Sequence, residues 1–306
     1  MARKSTSKPV ATTPAAAITP DPADLSSRAM LVSLKVSAWQ ARKTDRRVNR
    51  EVADAHQTEE RAGNYRKRLL PSDSPSFKAI GNLEVAARND HYKHTLPWLD
   101  GGTRILPASN FFAYSECMRG HRATFERAVA QFLGEYPSLR EEAKAYLNGL
   151  YNDGDYPAPS RMASLFAFEM RVMPMPAAQD FRASLPSEDI EAIRHRIEDD
   201  AKEAAGIAMR DAWTRLRNAI GHLHGQVSKE TGPVYWKSLL TNLGELCDVL
   251  PRLNLLGDAN LDKMTAEIRA SILSTTPDDA RNVIGERERI ASEAERIGTA
   301  MQALMA

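Results

Sequence analysis

Apolar and polar positions recur with two different periods along this chain, and the change from one to the other predicts its elements. Between Leu165 and Val172 the apolar positions alternate as they do in a strand, and the run stops at Met173-Pro174-Met175-Pro176. From Ser187 to about Ser228 the spacing is helical. Ile190, Ile193, Ile197, Ala201, Ala204, Ala208 and Ala212 follow one another in steps of three and four, and Trp213, Leu216, Ile220, Leu223 and Val227 continue the stripe. Ser187 is the expected N-cap, with Glu188, Asp189 and Glu191 at the positive end of the helix dipole. Such a helix is on the order of 60 Å long, so part of it needs a partner helix from this chain or from another copy. The rest of the chain is expected to pack on this strand and helix.

A second strand is predicted over 30–38, where Val32, Leu34 and Val36 alternate with Ser33, Lys35 and Ser37. A helical pattern follows from about Trp39 to residue 68, with Val48, Val52 and Ala55 on one side. Further helices are predicted over 77–96, 111–136 and 139–150, the last two separated by Pro137, and 103–106 reads as a short strand. After Lys229 the pattern is helical. Asp258 is predicted to cap one helix, and Thr276-Pro277-Asp278-Asp279 to start the last one. In that last helix Val283, Ile290, Ile297 and Leu304 recur at sevens with Arg287, Ala294 and Met301 between them, a seam like that of a coiled coil. The predicted class is α+β and predominantly helical: a small antiparallel sheet, one very long helix at 187–228, and a C-terminal helical region. Three parts are expected: a disordered basic tail at 1–27, an α+β core at 28–230, and helices at 231–306.

Charge sharpens this picture. The net charge is +1, yet residues 1–70 hold fourteen Lys/Arg against seven Asp/Glu, which leaves 27 against 33 for the remainder. A basic N-terminal part on a mildly acidic body implies an anionic partner or contact between the two parts. The two cysteines, Cys117 and Cys247, are far apart and form no metal-type spacing, which fits a reducing compartment. No apolar run reaches the roughly eighteen residues of a membrane span, and no secretory signal is expected.

Candidate chemistry concentrates in the basic segment. Residues 42–68 carry nine Lys/Arg and five Asp/Glu. Arg42, Lys43, Arg46, Arg47, Arg50, Arg66, Lys67 and Arg68 could neutralise phosphates, and Trp39 and Tyr65 could stack on bases, which is what single-strand binding requires. The competing interpretation is a solvated helix face with internal salt bridges to Asp45, Glu51, Asp54 and Glu59. His222 and His224 are two apart and do not share a helix face, whereas His91 and His94 share one but lack a third ligand, so no metal and no cofactor is expected. Asn152-Asp153-Gly154-Asp155 resembles a fragment of a calcium loop, without its closing acids, and reads as a turn. No phosphate-binding glycine loop, nucleophile elbow or zinc motif is present in the sequence.

Three segments carry a resemblance: LVSLKVSAWQARKTD (31–45), FLGEYPSLREEAKAYLNGLYNDGDYP (132–157) and FAFEMRVMPMPAAQDFRASLPSEDIEAIR (166–194). Over roughly residues 28–230 they are similar to a phage and prophage family known only as domain of unknown function 3150. The resemblance implies a phage setting in the cytoplasm of a bacterial host, and it brings no activity and no catalytic residues.

Two functions follow. The first is a non-enzymatic protein that binds single-stranded DNA through the basic segment and acts as an oligomer. The second is a structural or adaptor protein that self-associates or docks a protein partner through its long and C-terminal helices. An enzyme is disfavoured, because no convergent catalytic set is legible in the sequence.

Overall fold

The computed structural model describes residues 22–71, 74–181, 186–229 and 233–305. Helix α1 (Pro22–Arg28) runs straight into strand β1 (Ala29–Ser37), which is followed by β2 (Arg42–Thr44), α2 (Arg46–Ala55) and β3 (Arg66–Arg68). Helix α3 (Pro75–His94) leads through the short strands β4 (Leu96–Pro97) and β5 (Arg104–Pro107) into α4 (Phe111–Leu147). A loop and the short helix α5 (Pro159–Met162) deliver β6 (Ala167–Pro174) and then α6 (Ser187–Val227). Four helices follow: α7 (Trp236–Leu253), α8 (Ala259–Ser271), α9 (Pro277–Asn282) and α10 (Glu286–Met305). The architecture is α+β and mostly helical, as the periodicity predicts. Among the described residues no helix is long and apolar enough to cross a membrane.

The sheet has the order β4-β5-β1-β6, and every pairing is antiparallel. The two strands legible in the sequence do pair, from Met30↔Pro174 to Ser37↔Ala167. Successive residues of β1 point to opposite faces. Val32 and Val36 are buried on one face, among residues of α3 and α4 that include Met118, Phe125 and Phe132. Ala29 and Leu31 are buried on the other, in the core that α6 builds with the C-terminal helices. Lys35, further along that second face, is exposed.

Helix α6 begins at Ser187 as expected, although Pro186 occupies the capping position and no side chain caps it. Its buried stripe includes Ala201, Ala204, Ala208 and Ala212, then Leu216, Ile220, Leu223 and Val227. The alanines allow close approach, and each fully buried Leu or Ile contributes about 1.5–3 kcal/mol. For its buried part a partner is supplied within the chain, since α10 packs along α6 with Ile290, Ala294, Ile297 and Met301 buried; Ile190, Ile193 and Ile197 of the predicted stripe are only partly buried. The seam is shorter than the heptads suggest. Val283 and Leu304 are exposed, and the last helix is broken at Gly285, whose φ of 86° is open to glycine at little cost. The charged seam position, Arg287, donates to the carbonyl of Val227 at 2.7 Å and to that of Lys229, satisfying carbonyls at the end of α6.

Three other expectations change. Pro137 does not end its helix, because α4 runs unbroken through it. A proline removes one N–H bond, but Tyr136, Leu139 and Ala143 remain buried on one face, and Tyr136 is held by its hydroxyl donating to the carbonyl of Pro157 at 2.9 Å. The helix predicted from Trp39 to residue 68 is only α2; its two ends are strands instead. Within the stretch expected to lack order, Pro22–Arg28 is helical and buries Leu25, while the basic residues Arg3, Lys4 and Lys8 lie outside the described residues.

Replacing Ile297 by Ala should lower unfolding stability by about 2–5 kcal/mol, read from the denaturant midpoint. Leu304→Ala should stay within about 0.5 kcal/mol. Equal losses at the two positions would contradict the packing of α10 on α6.

Candidate nucleic-acid interface

After β1 the chain turns at Ala41, a buried residue with φ of 48°. It then forms a two-stranded ribbon in which Arg42 faces Arg68, Lys43 faces Lys67 and Thr44 faces Arg66. Two further backbone bonds extend the pairing, from Leu69 N to Ala41 O at 2.8 Å and from Asp45 N to Tyr65 O at 3.0 Å. Asp45 then caps α2, accepting from the N–H groups of Arg47 and Val48. Five of the six paired ribbon residues are exposed, and four of those five are cationic. Like charges stacked across a ribbon repel. The ribbon is held by its single buried member.

That member is Lys67, whose side chain is 4% exposed. Its ammonium lies 2.9 Å from Asp45 Oδ2 and 2.8 Å from Asp155 Oδ2, and it donates to the carbonyl of Leu150 at 2.7 Å. All three of its hydrogens are thereby used. Burial pushes the Lys67 pKa down, but the hydrogen bonds to Asp155 and Asp45 outweigh it and the net shift is upward. The bond from Lys67 in turn holds the Asp45 carboxyl below its usual range. The loop 148–157 braces the ribbon elsewhere too: Arg47 donates to the carbonyl of Gly149 at 2.9 Å, and the Tyr156 hydroxyl donates to that of Leu69 at 2.7 Å. The stretch that read as a calcium-loop fragment is this brace.

Among the described residues, hollows adjoin the ribbon on several sides. In one, Thr44, Arg46 and Arg61 meet Glu59 and Glu60, and two others are more cationic or more apolar. The cationic one, of about 600 Å³, is lined by Arg42, Lys43, Arg46, Arg66 and Lys67 against only Asp45 and Asp155, and both carboxylates are already committed to Lys67. The apolar one, of about 330 Å³, is floored by Trp39, Leu70, Pro71, Phe77 and Ile80, with Arg42, Arg68 and Lys78 among its polar lining. Trp39 is half-buried and packs edge-on against Phe77 at 6.0 Å and Tyr136 at 5.9 Å. The hydroxyl oxygen of Ser74, in the wall of this hollow, is buried with no hydrogen-bond partner among the described residues.

The structure therefore brings together Trp39, Arg42, Lys43, Arg46, Arg66 and Arg68 of the residues that the sequence singles out. It takes Lys67 away from any phosphate. Arg47 and Arg50 are exposed but line neither the cationic nor the apolar hollow, and Arg47 is engaged with Gly149 and, at 3.6 Å, with Glu51. Tyr65 is 40% exposed and also lies outside both linings. Sequence reasoning missed Phe77, Ser74 and Lys78, which enter the site only because α3 folds back beside the ribbon. Of the histidines considered as ligands, His91 is buried and bonded to the Tyr114 hydroxyl at 2.8 Å; burial, with Arg104 and Arg88 nearby, lowers its pKa to about 4. The His94 ring faces Asn110.

Because Asp45 titrates below and Lys67 above its ordinary value, their contributions are present across the neutral range. The Asp45 contribution is lost as pH falls through its folded pKa, below 3.8, and that of Lys67 as pH rises beyond 10.5. Lys67→Met should cost about 3–5 kcal/mol by stranding two carboxylates. It should also abolish the alkaline loss, as read by denaturation at several pH values. A variant as stable as the parent at pH 7 would remove Lys67 as the anchor of the ribbon.

Compared with known proteins, the chain matches no family model, no curated protein and no solved structure.

Proposed function

We propose that this is a non-enzymatic nucleic-acid-binding protein that holds a single strand across the β2–β3 ribbon. The observation that carries the reading is the position of Arg42, which lines both the cationic hollow and the apolar one. A nucleotide is itself divided in that way, into an anionic phosphate and a flat apolar base. Phosphates would lie along Arg42, Lys43, Arg46 and Arg66, and a base would enter over Trp39 and Phe77, where stacking is worth about 1–3 kcal/mol. The scaffold reading has less support, because the C-terminal seam that would join copies is buried against α6.

The test is fluorescence anisotropy of a labelled single-stranded oligonucleotide at several salt concentrations. Affinity should fall linearly in the logarithm of salt. Joint replacement of Arg42, Arg46 and Arg66 by Gln should reduce the slope by about 2, at roughly 0.7 per phosphate released from each cation. Arg47→Gln and Arg50→Gln should leave the slope nearly unchanged. An abasic oligonucleotide of equal length should bind more weakly at the same slope. No binding at low salt would end the proposal, and equal binding of the abasic strand would limit it to a polyanion surface.

A further inference from the structure

Helices α3 and α4 pack along each other, and His91 of α3 is bonded to Tyr114 of α4. A second group joins the same two helices. Cys117 and His121 are one turn apart on α4 and so project from the same face, toward Asp90 on α3. Asp90 Oδ2 is 2.7 Å from His121 Nε2 and 3.8 Å from Cys117 Sγ, and the three ligand atoms all lie within 4.8 Å of one another. Each of the three residues is half-buried.

We propose that Asp90, Cys117 and His121 bind a divalent cation of the zinc class. A thiolate, an imidazole and a carboxylate are the donor types that zinc takes, with metal–sulfur distances of about 2.3 Å and metal–nitrogen or –oxygen distances of about 2.0–2.2 Å. Ligand atoms around such an ion are roughly 3.3–3.8 Å apart, so the set closes by up to about 1–1.5 Å at its widest pair and opens by about 0.6 Å or more at the Asp90–His121 pair. Side-chain rotation supplies that. Binding displaces the thiol proton to solvent. Thiolate and carboxylate then balance the double charge, and the imidazole coordinates as the neutral base. The sulfur and nitrogen donors favour zinc over magnesium or calcium, which prefer oxygen. Three protein ligands leave a fourth position to water. Cys117 and Cys247 are far apart and His91 and His94 lack a third ligand, whereas this set joins one cysteine, one histidine and one aspartate across two helices.

The experiment uses the full chain, reduced and freed of metal with a chelator, and titrates it with cobalt(II) alone. One equivalent should bind with a thiolate-to-cobalt charge-transfer band in the near ultraviolet, and zinc should displace it. Cys117→Ser should abolish the band, and Cys247→Ala should keep it. His121→Gln, which retains the thiol, should weaken binding by roughly tenfold or more. No band in the parent chain, or a band that survives Cys117→Ser, overturns the proposal. If circular dichroism shows that Cys117→Ser has not folded, His121→Gln decides, and an unchanged affinity in that variant overturns it.

Discussion

The constraint on which this fold depends is the burial of both faces of β1. A four-stranded sheet with strands of two to nine residues has little stability of its own and needs a layer on each side. Val32 and Val36 draw α3 and α4 onto one face, and Ala29 and Leu31 draw α6 onto the other. Because the second face is apolar only at its start, α6 covers the sheet at that end and extends beyond it. Part of the length that the sheet cannot cover is buried by α10, whereas no residue of α6 before Ala201 is buried. The alanine-rich stripe of α6 lets a neighbour come close, and the Arg287 bonds finish its end.

The basic surface depends in turn on Lys67. Five cations around one small ribbon would repel one another if all were equivalent. Burial of one of them between Asp45 and Asp155 turns part of that repulsion into an anchor, and the two carboxylates that could have neutralised the surface are consumed inside. The remaining four cations face outward with little local compensation. The same loop that supplies Asp155 also holds Leu69 and Arg47, so the hollow floored by Trp39 and the cationic hollow are held in a fixed relation by residues 148–157.

Much of the fold was legible because it is local. Periods of two and 3.6 identified β1, β6 and α6, and the caps at Asp258 and Thr276 are where side-chain chemistry puts them, accepting from Asn260 N and Asp279 N. The errors share one cause, which is that tertiary burial overrides a local signal. Pro137 is a breaker by its own chemistry, but the buried residues on either side of it keep α4 continuous. The run of basic residues from 42 to 68 has the composition of a charged helix, yet its two ends meet as strands, through a pairing that spans more than twenty residues. The site was half legible for the same reason. A count of charges found Arg42, Lys43, Arg46, Arg66 and Arg68, and could not show that Lys67 among them points inward.

The sequence by itself determined the class of the fold, the long helix and the basic character of the N-terminal part. Those properties follow from composition and from repeats shorter than a helical turn or two. Only the tertiary structure decided which cations stay in water, that Phe77 and Ser74 join Trp39, and that Asp90 meets Cys117 and His121. Each of these is a contact between residues far apart in the chain, and it exists because burying apolar surface elsewhere brings their backbones together.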